Sequence, residues 1–233
     1  MIPMMVEILA ETGSGESVKD LRRTIEDFVW RLTGQETVYQ MIELARQVEL
    51  RGGRALEPLV YKRTYLDRLW ERVSSRVKRL ESGSATPDEF LVPGSRALLE
   101  QLKQRGMRLY LASGTDEEYM KREAELLDLT QYFDGGVFGA IDDYRNFSKG
   151  ILIRRIIGEM EFTGGQFLGF GDGYVEIEEV KNVGGTAVGV ATAEPECRGV
   201  DEWKRQRLIG VGADFIAPNY LDLDQMLAAL FPE

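Results

Sequence analysis

From Met1 to about Leu80, apolar residues recur at helical steps. Leu21, Ile25, Phe28, Val29 and Leu32 form one series, and Val38, Met41, Ile42 and Ala45 form another. Met4, Met5, Ile8 and Leu9 already follow the same period. Strand signal is almost absent, so this stretch predicts an all-helical region. Its breaks fall where small and polar residues interrupt the period: at Thr12 to Ser17, at Arg51 to Ala55 around Gly52 and Gly53, and at Glu81 to Pro87. The last break reads as a boundary between a helical domain over residues 1–82 and a second domain over 87–233.

After Phe90 the texture changes to short apolar runs alternating with amphipathic stretches. Arg108 to Ala112, Val137 to Ile141, Gln166 to Phe170 and Thr186 to Val190 read as strands, and Glu117 to Leu127, Gly150 to Met160 and Glu176 to Val183 as helices. This order predicts an α/β core, a doubly wound and mostly parallel sheet with helices on both faces. Functional groups in such sheets gather at the carboxyl ends of the strands, and those ends define the search.

Composition narrows the chemistry. At 233 residues with 43% hydrophobic content, the chain can bury a substantial core. A formal charge of −10, spread along the chain, disfavours nucleic acid and anionic membrane surfaces as partners. A phosphate substrate remains compatible, because a bound cation and one lysine can reverse the local potential. The absence of histidine removes Ser-His-Asp and Cys-His catalysis and histidine-metal sites together. One cysteine, Cys197, leaves no internal disulfide and fits a reducing, cytoplasmic setting. Carboxylates, lysine, hydroxyls and a hard metal ion are what remain.

Three strand ends carry candidate groups. Ser113, Gly114 and Thr115 follow Leu109-Tyr110-Leu111-Ala112, where a hydroxyl and neighbouring N–H groups can meet a phosphate oxygen. The plainer alternative is a capping box between Thr115 and Glu118. Lys149, in Asn146-Phe147-Ser148-Lys149-Gly150, precedes a helix and reads either as a compact cation for a phosphate or as a solvated surface residue. The most specific element is Phe167-Leu168-Gly169-Phe170-Gly171-Asp172-Gly173-Tyr174-Val175-Glu176. Asp172 and Glu176, four residues apart at a strand-to-helix turn, can share a hydrated Mg2+. Otherwise Asp172 caps the helix and Glu176 is a surface charge. A dinucleotide fingerprint is disfavoured, since Tyr174 stands where the third glycine belongs.

Taken in order, Ser113, Lys149 and Gly171-Asp172-x-x-x-Glu176 resemble the second, third and fourth motifs of the haloacid dehalogenase-like phosphatases. The resemblance covers about Val92 to Val190. It includes the stretch from Tyr132-Phe133-Asp134 to Val137-Phe138-Gly139, common in the phosphoglycolate-phosphatase-like branch. The resemblance implies that the N-terminal region is a helical cap and that the cleft beside the core holds the site. It also implies that Ser113, with Gly114 and Thr115, binds the phosphoryl group and that Lys149 stabilises it and the nucleophile. Asp172 would bind Mg2+ with support from Glu176. Glutamate at 176 departs mildly from the usual aspartate.

The larger departure is the first motif, an Asp-x-Asp at the end of an apolar strand near the N-terminus. There the first Asp attacks phosphorus and the second is the general acid/base. Nothing ahead of Ser113 matches it, and the only Asp-x-Asp, Asp222-Leu223-Asp224, opens the last amphipathic helix. Met1 falls inside what the resemblance makes a cap helix, a pattern that an internal start or incomplete upstream sequence would produce. The family's strand order places the absent strand between those ending at Ser113 and Gly171. The sheet is therefore expected either to be split there or to pair those two strands directly. The functional expectation is a Mg2+-dependent phosphatase of a small phosphorylated metabolite, inactive as written. The alternatives are a non-catalytic relative used for binding or association, and a phosphomutase in the full-length form.

Overall fold

A computed structural model gives the fold and describes residues 1–33, 35–141, 148–160 and 163–232. It divides into two units, Met1–Lys78 and Arg79–Glu233.

The first unit is built from α1 (Ile2–Ala10), α2 (Val18–Arg31), α3 (Thr37–Leu50) and most of α4 (Pro58–Glu81). Each start has a local cause. Pro3 sits in the first turn of α1, where its missing N–H leaves no bond unmade. Ser17 caps α2, its hydroxyl accepting from the Asp20 N–H at 3.2 Å. The apolar faces meet in one cluster of Met4, Met5, Leu9, Leu21, Ile25, Phe28, Met41, Leu44, Val48 and Tyr61. Burying a large apolar side chain of this kind contributes about 1.5–3 kcal/mol, so the cluster holds the short helices together. Arg51 donates twice to Glu16, at 2.5 and 2.9 Å, and ties the end of α3 to the α1–α2 loop.

The second unit continues with α5 (Ser95–Gln104), β1 (Tyr110–Asp116), α6 (Glu117–Leu126), β2 (Gly136–Ala140), α7 (Lys149–Met160) and β3 (Leu168–Gly171). It ends with α8 (Tyr174–Asn182), β4 (Thr186–Val190), α9 (Glu202–Gly210), β5 (Phe215–Ala217) and α10 (Leu223–Leu230). All strand pairings are parallel, as the alternating pattern predicts. Helices cover both faces. Leu168 and Phe170 of β3 pack with Leu98 and Leu102 of α5 and Leu227 of α10. Gly169, between them, faces Val180 of α8 on the other side. The sequence reading passed over α9 and β5; β5 is only three residues long and carries no readable period.

The sheet is split. Among the described residues, β1 pairs only with β2, and β3–β4–β5 form a separate three-stranded sheet. Of the two outcomes expected for an absent strand, direct pairing of β1 with β3 does not occur. β4, with a partner on each side, buries Ala187 and Val188 completely. In contrast, β1 and β3 are half-buried along their whole length.

Candidate functional site

Ser113 lies inside β1 rather than beyond its end, which corrects the sequence expectation. Register with β2 runs from Tyr110↔Gly136 to Ala112↔Phe138 and resumes only at Asp116↔Ala140. Residues 113–115 therefore form a bulge, a device that re-aims side chains near a strand end. Within it the Ser113 hydroxyl accepts from the Thr115 N–H at 3.1 Å. The alternative capping box is not formed. Thr115 belongs to the strand, Asp116 takes the N-cap position without a side-chain cap bond, and α6 begins at Glu117.

Lys149 is the first residue of α7, and its side chain is only 8% exposed. The solvated-surface reading therefore fails, because the ammonium is paired with the Glu176 carboxylate. Asn146 and Phe147, which precede it in the motif, lie outside the described residues. The contact joins the start of α7 to the first turn of α8.

Asp172 stands between the end of β3 and the start of α8. It does not cap that helix; Gly173 holds the N-cap position with no side-chain bond. Glu176 lies in the first turn of α8, where a carboxylate also gains from the helix N-terminal field. One oxygen, Oε1, meets Lys149, while Oε2 is buried without a hydrogen-bond partner. The two glycines of the motif make room for this side chain. A Cβ at position 171 would lie 2.7 Å from Glu176 Cβ, and one at 173 would lie 2.3 Å from Oε2. A second pair crosses the same two helices, with Arg154 donating to Glu179 at 3.3 Å.

Tyr220 belongs to this neighbourhood and was missed in the sequence. Its ring meets Phe170 edge to face, with centroids 6.1 Å apart. Burial first, and then the Asp172 carboxylate, push its hydroxyl up to about 12. Its backbone N–H donates to Pro93 O at 2.9 Å, which anchors the loop after β5 beside the start of α5. The signal was available: Tyr220 follows a strand at its carboxyl end, and recognising β5 would have exposed it.

The structure thus brings Lys149 and Glu176 together, and sets Tyr220 against Phe170, two residues before Asp172. The Ser113 hydroxyl is engaged within its own bulge. Among the described residues, no group of three or more His, Cys, Asp or Glu side chains is arranged to hold a metal ion. Asp222 takes the N-cap position of α10 without a side-chain cap bond, and Asp224 lies in that helix's first turn. Neither ends an apolar strand.

A parallel core wound with helices on both faces, with Asp172 and Glu176 following the carboxyl end of β3, defines an α/β protein of the kind that binds ligands at the strand ends. The profile of the haloacid dehalogenase-like hydrolases matches residues 8–184. The chain belongs to that family. Among solved structures, it is similar to a conserved haloacid dehalogenase-like protein, ATU0790, from Agrobacterium tumefaciens. The TM-score is 0.58 at 16% identity, over 98% of this chain and 90% of that one. A predicted phosphoglycolate phosphatase from Haemophilus somnus gives a TM-score of 0.57 at 12% identity, over 97% and 91%. A predicted phosphatase from Clostridium acetobutylicum gives 0.57 at 16% identity, over 97% and 92%. At these identities the likeness is one of fold. No curated protein matches the chain. Among the described residues, no helix is long and apolar enough to cross a membrane.

Proposed function

We propose that the chain is the phosphate- and cation-binding part of a phosphohydrolase that acts on a small phosphorylated metabolite. The observation that carries the reading is the buried Lys149–Glu176 pair, with Glu176 four residues after Asp172 at the carboxyl end of β3. A lysine paired with one acid, with a second acid four residues before it at the strand end, suits a dianionic phosphoryl group and a hard cation better than a neutral haloacid. The phosphatases among the similar structures are consistent with it.

The residues present fit Mg2+ as an open site. Mg2+ keeps most of its waters and needs only one or two carboxylates, and the orphaned, buried Glu176 Oε2 is an acceptor that such an ion would satisfy. Asp172 and Glu176 would hold it, and the ion would neutralise charge on the phosphoryl oxygens. Lys149 adds a second cation, and the bulge at 113–115 offers N–H and hydroxyl groups.

What these 233 residues do not supply is an Asp-x-Asp at the end of an apolar strand. Without an attacking carboxylate, only binding and electrostatics remain, and turnover should fall by several orders of magnitude. The test is hydrolysis of an aryl phosphate with Mg2+. The chain alone should match background, and the same chain joined at Met1 to an apolar strand ending in Asp-x-Asp should turn over. Turnover by the chain alone that survives Asp172→Asn would overturn the proposal.

A further inference from the structure

We propose that Arg207 is a positioning residue: stacked on Tyr174, it fixes the turn that carries Asp172 and so strengthens the hold of that turn on a divalent cation. This rests on the proposed reading of the site and deepens it, because it brings in α9, which none of the motifs reaches.

Of the two acids, Glu176 is tied to Lys149. Asp172 is exposed and, among the described residues, makes no hydrogen bond or ion pair, so the backbone of the turn sets its place. That backbone has little local support. Gly173 takes the N-cap position of α8 with no side-chain bond, and the first side chain that can anchor the turn is Tyr174. The Arg207 guanidinium lies over the Tyr174 ring, 4.9 Å from its centroid, and over the Trp203 ring, 4.6 Å from that one. A planar guanidinium over an aromatic face is attracted by the ring quadrupole. Trp203 and Arg207 are four residues apart on α9 and share one face of it, so the indole steadies the group that meets Tyr174. The helix itself is fixed, since Leu208, the next residue, is 1% exposed and packs in one cluster with Ile177 of α8. The stack therefore ties the start of α8 to a firmly packed neighbour, two residues from Asp172.

The sign of the effect separates positioning from charge. By Coulomb's law alone, taking a positive charge from beside a cation site strengthens cation binding, whereas loss of a brace weakens it. Mg2+ binding is measured by NMR titration in the parent, Arg207→Gln, Tyr174→Leu and the double variant. Arg105→Gln is the control: it removes the same charge and the same kind of contact, Arg105 over the Phe231 ring at 5.0 Å, from the C-cap of α5. Arg207→Gln and Tyr174→Leu are each expected to weaken Mg2+ binding about fivefold, less than the roughly 10–100-fold typical of groups that touch a metal ligand directly, while Arg105→Gln stays within about twofold of the parent. The double variant should lose no more than either single one, because the two changes break one contact. Should Tyr174→Leu not fold, Arg207→Gln against Arg105→Gln decides alone. Mg2+ binding in Arg207→Gln that is unchanged or tighter overturns the positioning role and leaves the phosphohydrolase reading standing, as does an equal loss in Arg105→Gln. No response to Mg2+ around Asp172 in the parent overturns both.

Discussion

The Glu176 carboxylate occupies the space that a side chain at Gly173 would need: a Cβ there would lie 2.3 Å from Oε2 and 3.2 Å from Oε1. The atoms in conflict are the far end of a flexible side chain, and Gly173 has an ordinary backbone φ of −100. The glycine therefore protects the position of a carboxylate, not a strained turn. Gly173→Ala is expected to swing Glu176 away from Lys149 and to destabilise the chain by about 1 kcal/mol, the centre of the range for point changes. Its effect should shrink once Glu176 is already Ala, because the two changes share one contact. Chemical denaturation of the two single variants and the double variant measures this; strict additivity would show that Gly173 does not act through Glu176.

Removing one partner of the Lys149–Glu176 pair should cost more than removing both. Lys149→Met leaves a mostly buried carboxylate uncompensated, and its expected cost is about 3 kcal/mol, at the low end for broken buried pairs because Glu176 is 19% exposed. Lys149→Met with Glu176→Leu should recover at least half of that. A double variant no more stable than Lys149→Met would mean that the pair is not the source of the cost.

The loop before β5 gives a pH dependence with a definite sign. Asp214 accepts from Lys181 Nζ and from the Ala187 N–H, each at 2.8 Å, and so fastens that loop to β4. Burial acts to raise its pKa, but the bonds from Lys181 and Ala187 outweigh it, and the carboxyl is held below the usual carboxylate range. A depressed folded-state value means that the stabilisation is fully present above the unfolded value of about 3.9 and is lost as pH falls through the folded one. With side chains about one-third exposed, Asp214→Asn is expected to cost roughly 1 kcal/mol at pH 7. The gap in melting temperature between parent and variant should close below about pH 4. A gap that is unchanged or wider in acid would reverse the assignment.

The α/β core was legible because its strands are short apolar runs and its helices carry a clear stripe. Thr186 to Val190 coincides with β4, and most other edges shift by one or two residues. The failures have physical causes. β1 runs on to Asp116 because a bulge lets residues 113–115 continue the strand, and no apolar period reports a bulge. The Lys149–Glu176 contact joins residues 27 apart, so it comes from the packing of α7 against α8. The resemblance had put Glu176 at a cation and Lys149 at a phosphate of one shared site, but not in a pair with each other.

The split sheet makes the last expectation. Among the described residues, β1 and β3 each have one ladder partner, so each strand leaves a row of N–H and C=O groups on its other edge. An unmade backbone bond costs about 1–3 kcal/mol if it is buried, and several of them would rival a domain's total stability of roughly 5–15 kcal/mol. The half-burial of both strands eases this cost, because solvent can reach groups that a ladder would otherwise satisfy. Solvent access has a kinetic signature. Amides of β4, paired on both sides and fully buried at Ala187 and Val188, should exchange hydrogen only through global opening. Amides on the open edges of β1 and β3 should exchange faster by about two orders of magnitude or more, through local fluctuation. Residue-resolved hydrogen exchange by NMR would display the difference. Protection of β1 and β3 equal to that of β4 would mean that their second edges are paired in solution, and the two sheets would then have to be redrawn as one.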